Sequence, residues 1–287
     1  MLSVIIPALN SASTISATLS SIFANRFNGE PFEVIVVDNG SSDDTVQIAG
    51  AYPVKVYHCS KKGIGPPRNL GAKMARGEVV CFTDSDCLVG RNWLEEIHSF
   101  FRQNPHADGV GGPVYPASCF QSKIQKLTGE LFVEDQGYPQ TTRKTEYRSH
   151  RGMIFGSNSA YKKDALLLAG LYSEPGGSNL ELVLRLTRAG RNIFFNPSIK
   201  TYHVFPRSLK GVIQQQFRWG SQSTQMKLSN RLAGESVKDT MLIPYSLAKR
   251  FFGLFSVNRV ERRILHFTQL ASYSLGQIYG YGHWRDN

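Results

Sequence analysis

The stretch VVCFTDSDC, Val79–Cys87, decides the fold. A β-branched, apolar run meets two aspartates one residue apart, where a buried strand reaches solvent. If strand geometry persists through Thr83–Asp86, side-chain alternation puts Asp84 and Asp86 on one face. At a separation of ~6 Å and an effective dielectric of ~20, their repulsion is about 3 kcal/mol. A solvated turn tolerates that cost, whereas a cleft needs a cation. Carboxylate oxygens are hard ligands, suited to Mg²⁺ or Mn²⁺ bridging phosphate oxygens.

Working outward, LSVIIPA (2–8), FEVIVVD (32–38), VKVYHC (54–59) and EVVCFTD (78–84) read as strands. Segments near 12–25, 43–51, 66–76 and 91–103 read as helices between and after them. Strands apolar on both faces and separated by helix-length spacers predict an α/β fold with a mostly parallel central sheet covered on both sides. Ligands of such sheets sit beyond the carboxyl ends of the strands, where VVDNGSSDDT and FTDSDC fall. Asp38 adds a third carboxylate at that edge, able to accept from a base or ribose. Its bland alternative is a turn or cap.

The chain has 287 residues, 41% of them hydrophobic, enough for a proper core. No basic, small-residue-terminated leader precedes MLSVIIPALN, so a folded, cytoplasmic start is expected. Cys59, Cys81, Cys87 and Cys119 lack paired metal-site spacing and are expected as reduced, mostly buried thiols. The net charge of +11 is uneven: −2 over residues 1–100, +5 over 101–200 and +8 over 201–287. Nucleic acid, an anionic membrane surface, a phosphorylated ligand or a merely soluble face each account for that gradient.

Beyond Cys119, residues 118–135 read as helix and 136–150 as a polar, flexible loop. Helices are expected at 161–169, 179–189 and about 208–228, and strands near 192–204. A boundary is placed at residue 228, with a basic, partly amphipathic helical extension over 229–287. That tail mixes apolar clusters with Lys249, Arg250, Arg259, Arg262 and Arg263, and no window has the ~20 clean apolar residues of a spanning helix. A surface helix lying on a membrane fits, as do helices packed on the domain or at a dimer interface.

Four segments in order, SVIIPALN, VIVVDNGSSDDT, GIGPPRNLGAKMARGEVVCFTDSDC and AGLYSEPGGSNLELVLRLTRAGRNI, resemble a family 2 glycosyltransferase of GT-A fold over roughly residues 2–220. The resemblance implies that Pro7, Ala8 and Asn10 lie against the nucleotide, that Asp38 contacts its base, and that Arg68 sits near nucleotide and diphosphate. It implies Asp84 at the donor ribose or sugar, Asp86 as principal ligand of Mn²⁺ or Mg²⁺, and His203 completing the metal shell. On physics alone His203 reads as a structural histidine, and it is the resemblance that raises metal ligation beside that reading. The implied reaction is an inverting displacement from a nucleotide-sugar, UDP-linked by expectation, to a glycan, glycolipid or polyprenyl-phosphate acceptor.

The chain departs from that pattern where the general base is expected. The matching positions are Ser178 and Asn179, and an amide takes no proton. Glu181 and Glu174 are substitutes, although SNLE also reads as a capping box with Glu181 reaching back to Ser178. Three readings follow: Glu181 or Glu174 is the base, the transferase is weakened, or the acceptor is already anionic. QQQFRWG partly matches a processive-synthase signature, making Arg218 and Trp219 acceptor-side or diphosphate-side candidates, with helix packing as the alternative.

Other functions fit less well. A haloacid-dehalogenase-like phosphotransferase carries its D-x-D on the first strand. A dinucleotide oxidoreductase needs a third glycine that GIGPPR lacks. Nucleic-acid binding has no recognisable motif here and is opposed by the acidic cleft.

Overall fold

The computed structural model describes residues 1–27, 31–120, 122–145, 154–174, 179–232 and 260–285. These fall into two compact units: Met1–Ser118 with Val133–Val204, and Cys119–Phe132 with Phe205–Asn287. Residue 228, the boundary expected from sequence, lies inside a helix spanning Leu209–Leu232.

The N-terminal unit begins as the strand pattern dictates. β1 (Leu2–Ala8), α1 (Ile15–Phe23), β2 (Phe32–Asp38), α2 (Thr45–Gly50), β3 (Lys55–His58), α3 (Gly65–Met74) and β4 (Val79–Phe82) alternate without exception. β5 (Cys87–Val89), α4 (Trp93–Gln103), β6 (Gly109–Gly111) and β7 (Val114–Pro116) follow, and α5 (Lys123–Gln136) runs across the boundary between the units. The unit resumes with β8 (Arg143–Lys144), β9 (Ser159–Lys162), α6 (Lys163–Leu168), α7 (Asn179–Arg188), β10 (Ile193–Phe195) and β11 (Thr201–His203).

The large sheet has eight strands in the order β3-β2-β1-β4-β9-β6-β10-β8. β1 pairs in parallel with both β2 and β4, and β2 with β3, while β9 runs antiparallel between β4 and β6. This is the expected mostly parallel sheet of a GT-A type fold, with two reversed strands, β9 inside the sheet and β8 at its edge beside β10, that apolar content alone does not distinguish. In-register pairing sets Ala8 level with Asp38 and Asp38 level with His58, so the loops after β1, β2 and β3 open at one edge. A second sheet, β5-β11-β7, carries His203 at the end of β11.

Alternation along the strands divides the core. Val4, Ile6, Val34 and Val36 pack with Ile15, Leu19 and Ile22 of α1 and Trp93, Leu94 and Ile97 of α4. Ile5, Ile35, Val37 and Phe82 face the other way, toward Ala72 of α3 and Leu182, Val183 and Leu186 of α7. Both sheet faces are therefore covered, which is why these strands lack the polar alternation of a half-exposed sheet.

The segment expected as a flexible loop, 136–150, is pinned at its start. Tyr138 stacks on Phe195 at 5.9 Å between ring centroids and donates its hydroxyl to the Val114 carbonyl at 3.0 Å. Residues 146–150 lie outside the described residues.

The C-terminal unit contains α8 (Leu209–Leu232) and α9 (Val260–Arg285). Leu131, Val212 and Leu265 form its small core with Ile124 and Leu127. Gly220 and Gly276 allow α8 and α9 to touch backbone to backbone: a Cβ at either would collide with the carbonyl oxygen of Tyr273 or Phe217, respectively. Among the described residues no helix is long and apolar enough to cross a membrane. Lys249, Arg250 and Arg259 lie outside the described residues.

Candidate active site

The two aspartates do not occupy a strand. β4 ends at Phe82, and the Cys87 N–H donates to the Asp84 carbonyl at 3.1 Å, closing a turn before β5. The condition for same-face placement, an extended strand through Asp86, is thus not met, and the repulsion is answered differently: each carboxylate has its own basic neighbour. Arg68 Nη2 donates to Asp84 Oδ1 at 2.6 Å, and His203 Nε2 lies 3.5 Å from Asp86 Oδ2. The residue between them fastens the turn. Ser85 Oγ meets Ser11 Oγ at 2.7 Å, and Thr18 donates to the Ser85 carbonyl at 3.0 Å, tying the turn to the loop after β1 and to α1.

Asp86 and His203 meet because β5 and β11 pair antiparallel with His203 opposite Cys87. The Asp86 side chain remains 41% exposed while that of His203 is 12% exposed. Burial opposes ionisation at both, but their mutual attraction prevails, holding the Asp86 carboxyl below its ordinary range and raising the His203 imidazole. The Asp86, Cys87 and His203 ligand atoms all lie within 4.8 Å of one another. Burial and the neighbouring Asp86 and Asp84 charges push the Cys87 thiol well up, and its Sγ lies 3.7 Å from Asp86 Oδ1 as a donor. An exposed carboxylate beside an imidazole fits a hard divalent cation such as Mn²⁺ or Mg²⁺. A neutral buried thiol does not act as its ligand.

Arg68 stands in the first turn of α3, opened by Gly65-Pro66-Pro67, where missing proline N–H groups cost nothing. Its guanidinium is buried against Tyr172 and Gly156. The Tyr172 ring lies 5.5 Å away, and Gly156 packs so close that a Cβ there would sit 2.8 Å from Nη2. Arg68 Nε is buried with no hydrogen-bond partner among the described residues.

At the sheet edge Asp38 is 4% exposed and its carboxylate accepts the N–H groups of Gly40 and Ser41, with His58 Nδ1 at 3.2 Å. The turn-forming role is therefore filled. Asn10 has φ +50° and bridges the first two loops: its N–H donates to Ser41 Oγ at 2.9 Å and its Oδ1 accepts from the Ser42 N–H at 2.9 Å. Ala8 is buried, Pro7 partly so, and both precede this exposed loop.

The three acceptor-side candidates are each engaged. Asn179, 7% exposed, is a satisfied core amide. Its Oδ1 accepts from the hydroxyls of Tyr161 and Tyr172, each at 2.9 Å, and its Nδ2 donates to the Ile154 carbonyl at 2.7 Å. Glu181, 8% exposed, accepts from Arg185 Nε at 2.8 Å and Nη2 at 3.1 Å and from Ser173 at 3.0 Å. Its side chain is thus committed to Arg185 one turn on; Ser178, the other half of the expected capping box, lies outside the described residues. Glu174 faces Lys61 at 3.1 Å, which holds its carboxyl below the ordinary range, the opposite of a poised base.

Arg218 and Trp219 belong to the C-terminal unit. Arg218 is exposed beside a groove of 430 Å³ lined with Ile213, Gln214, Phe217, Ser272 and Leu275, and Trp219 packs on Phe132 at 6.3 Å.

The sequence profile of Glycosyl transferase family 2 matches residues 3–167, more than half of the chain. The chain belongs to that family. This family member is similar to the Staphylococcus aureus poly(ribitol-phosphate) beta-N-acetylglucosaminyltransferase TarS, at 34% identity over 139 residues covering 44% of this chain and 24% of TarS. It therefore spans about a quarter of that relative's length. Similarity to the Haloferax volcanii glucosyl-dolichyl phosphate glucuronosyltransferase is 24% over 296 residues and covers 92% of this chain and 90% of that one. Among solved structures, the Pyrobaculum calidifontis mannosyltransferase PcManGT in complex with GDP-Man and Mn²⁺ superposes with a TM-score of 0.63 at 17% identity, covering 97% of this chain and 87% of that one. Staphylococcus aureus TarS 1–349 in complex with UDP-GlcNAc gives 0.59 at 18%, covering 98% and 92%. These likenesses establish the GT-A type fold.

Tyr161, Tyr172 and Ser85 were not singled out by sequence. Tyrosines flanking a helix read as core aromatics, and only the shared contact with Asn179 reveals their convergence.

Proposed function

We propose that this chain moves a sugar from a nucleotide-diphosphate donor to an acceptor by metal-dependent, inverting displacement, at the edge formed by the loops after β1, β2 and β4. The observation that carries this reading is the division of the aspartate pair. Asp84 is neutralised by a buried arginine, while Asp86 keeps an accessible carboxylate beside His203. Asp86 and His203 would hold Mn²⁺ or Mg²⁺. The bound ion would offset charge building on the departing diphosphate. Asp84 accepts from the donor ribose or sugar hydroxyls, Pro7, Ala8 and Asn10 shape the nucleotide's bed, and Asp38 holds the loop that faces the base. Arg218 and Trp219 are kept as acceptor-side or diphosphate-side candidates on the pattern QQQFRWG alone.

A UDP-sugar is the first donor to try, because TarS binds UDP-GlcNAc, and GDP-sugars follow because PcManGT binds GDP-Man. With Asn179 an amide and Glu174 and Glu181 ion-paired, the described acceptor side presents no carboxylate poised as a base. That favours an acceptor already ionised, such as a polyprenyl phosphate, over a neutral sugar hydroxyl on a glycan or glycolipid. Dolichyl phosphate figures in the name of the Haloferax relative that spans most of this chain. The protein would work in the cytoplasm against an anionic membrane face, using the basic C-terminal unit. Ile264, Phe267, Leu275 and Ile278, 54–69% exposed at helical spacing on α9, support that contact.

The test is a panel of nucleotide-sugars with Mn²⁺, read as nucleoside diphosphate release and thermal shift. A donor that stabilises the protein only with metal, and not in Asp86→Ala, supports the site; no response to any donor overturns it. Transfer to neutral hydroxyls at the native rate, abolished by Glu181→Gln, would sink the anionic-acceptor part. A second reading, a weakened nucleotide-sugar-binding protein, rests on Asn179 and predicts metal-dependent donor binding without transfer to any acceptor.

A further inference from the structure

Between the donor-side turn and the start of α7 runs a continuous set of contacts that the proposed chemistry does not by itself require. Asn179 Oδ1 receives both tyrosine hydroxyls, and its Nδ2 is spent on Ile154. Tyr172 is the member that continues the chain. Its hydroxyl is held by Asn179, its ring meets Phe82, the last residue of β4, edge-on at 5.3 Å, and the same ring lies under Arg68. Arg68 is also closely approached by Gly156 and ends on Asp84.

The guanidinium is 6% exposed and its Nε has no hydrogen-bond partner among the described residues, so faces rather than a fork of hydrogen bonds set its position. Its anchor at the tip is the bond from Nη2 to Asp84 at 2.6 Å. A charge held in this way shifts when the surface beneath it shifts, because a stacked guanidinium follows its aromatic partner. Asp84 in turn has no strand to hold it, since β4 stops two residues earlier.

We infer that Asn179, at the position where a general base was expected, is a positioning residue for the donor: through Tyr172 it fixes Arg68, and through Arg68 it orients Asp84. The inference rests on the proposed role of Asp84 in donor binding. It accounts for an amide at this position. Oδ1 must accept two hydroxyl protons while the other end donates to a carbonyl, a pattern that a carboxylate cannot supply. It also separates two functions that a missing base would confuse. A base acts on the acceptor and its loss lowers kcat, whereas a donor-positioning residue acts on donor KM.

The experiment uses the full chain with Tyr172→Phe, which removes the hydroxyl and keeps the ring, and Asn179→Leu, which removes both amide functions. Donor KM and kcat are measured with Mn²⁺ at saturating acceptor. In parallel, ¹⁵N-arginine labelling follows the Arg68 Nε–H resonance, assigned by its absence in Arg68→Lys. The expected result is donor KM raised about tenfold in both variants with kcat within about twofold, matching the loss of the one buried hydrogen bond that both variants break, Tyr172 to Asn179. The Arg68 resonance is also displaced. A fall in kcat at constant KM, or an Arg68 resonance unmoved in folded Tyr172→Phe, overturns the inference. If the unaltered protein responds to no donor, the proposed function fails, and the resonance alone still decides whether Asn179 and Tyr172 set Arg68.

Discussion

Replacing Asn179 by aspartate restores the residue type expected of a base, and the structure gives the consequence a sign. Asn179 Nδ2 donates to the Ile154 carbonyl at 2.7 Å in a site 7% exposed. An ionised carboxylate in its place would turn a lone pair toward that carbonyl and strand a buried acceptor, a change that costs about 3 kcal/mol. A protonated carboxyl restores the bond, so the folded-state pKa of the new group rises above its unfolded value near 3.9. For a raised acid the neutral form is favoured by folding; the variant matches the parent below the unfolded pKa and loses stability as pH climbs through the folded one. At about 2–4 °C per kcal/mol, Asn179→Asp should melt roughly 6–12 °C below the parent at pH 8 and within about 2 °C of it at pH 4. Thermal unfolding by circular dichroism across that range measures this. A variant as stable as the parent at pH 8, with faster transfer to a neutral hydroxyl, would refute the reasoning and show that a missing carboxylate limits turnover.

Acid sensitivity should centre on Glu33. Burial opposes its charge, but bonds from Arg76, Ser3 and Lys55 prevail and lower its pKa from 4.5 to about 2. A depressed acid stabilises the fold above its unfolded pKa, so about 3 kcal/mol is lost as pH falls from about 5 toward 2; Glu33→Gln should flatten that part of a urea-denaturation profile. Gly156→Ala places a Cβ 2.8 Å from Arg68 Nη2, and donor KM should rise about tenfold as Asp84 loses its partner, measured by nucleoside diphosphate release. Gly276→Ala drives a Cβ into the Phe217 carbonyl oxygen, and the C-terminal helix pair should lose about 1–3 kcal/mol, seen as a lower melting temperature with the N-terminal unit's near-ultraviolet signal intact.

Much of this protein was legible in the chain because strand and helix periods are local properties. The first four strands appear within a residue or two of their expected limits, and the apolar run Val79–Phe82 led to the right kind of sheet. The sequence by itself also marked Asp84, Asp86 and His203 as residues of interest. Tertiary structure decided how they are held. A turn replaced the extended strand at Asp84–Asp86 because Cys87 bonds back to Asp84, and pairing of β5 with β11 brought His203 from 117 positions away to Asp86. The reversal of β9, the close approach of Tyr172 and Gly156 to Arg68, and the satisfied amide of Asn179 depend on which distant surfaces meet. Periodicity records which face a residue turns to the core; it carries no record of the partner waiting there, and hydrogen bonds are made with partners.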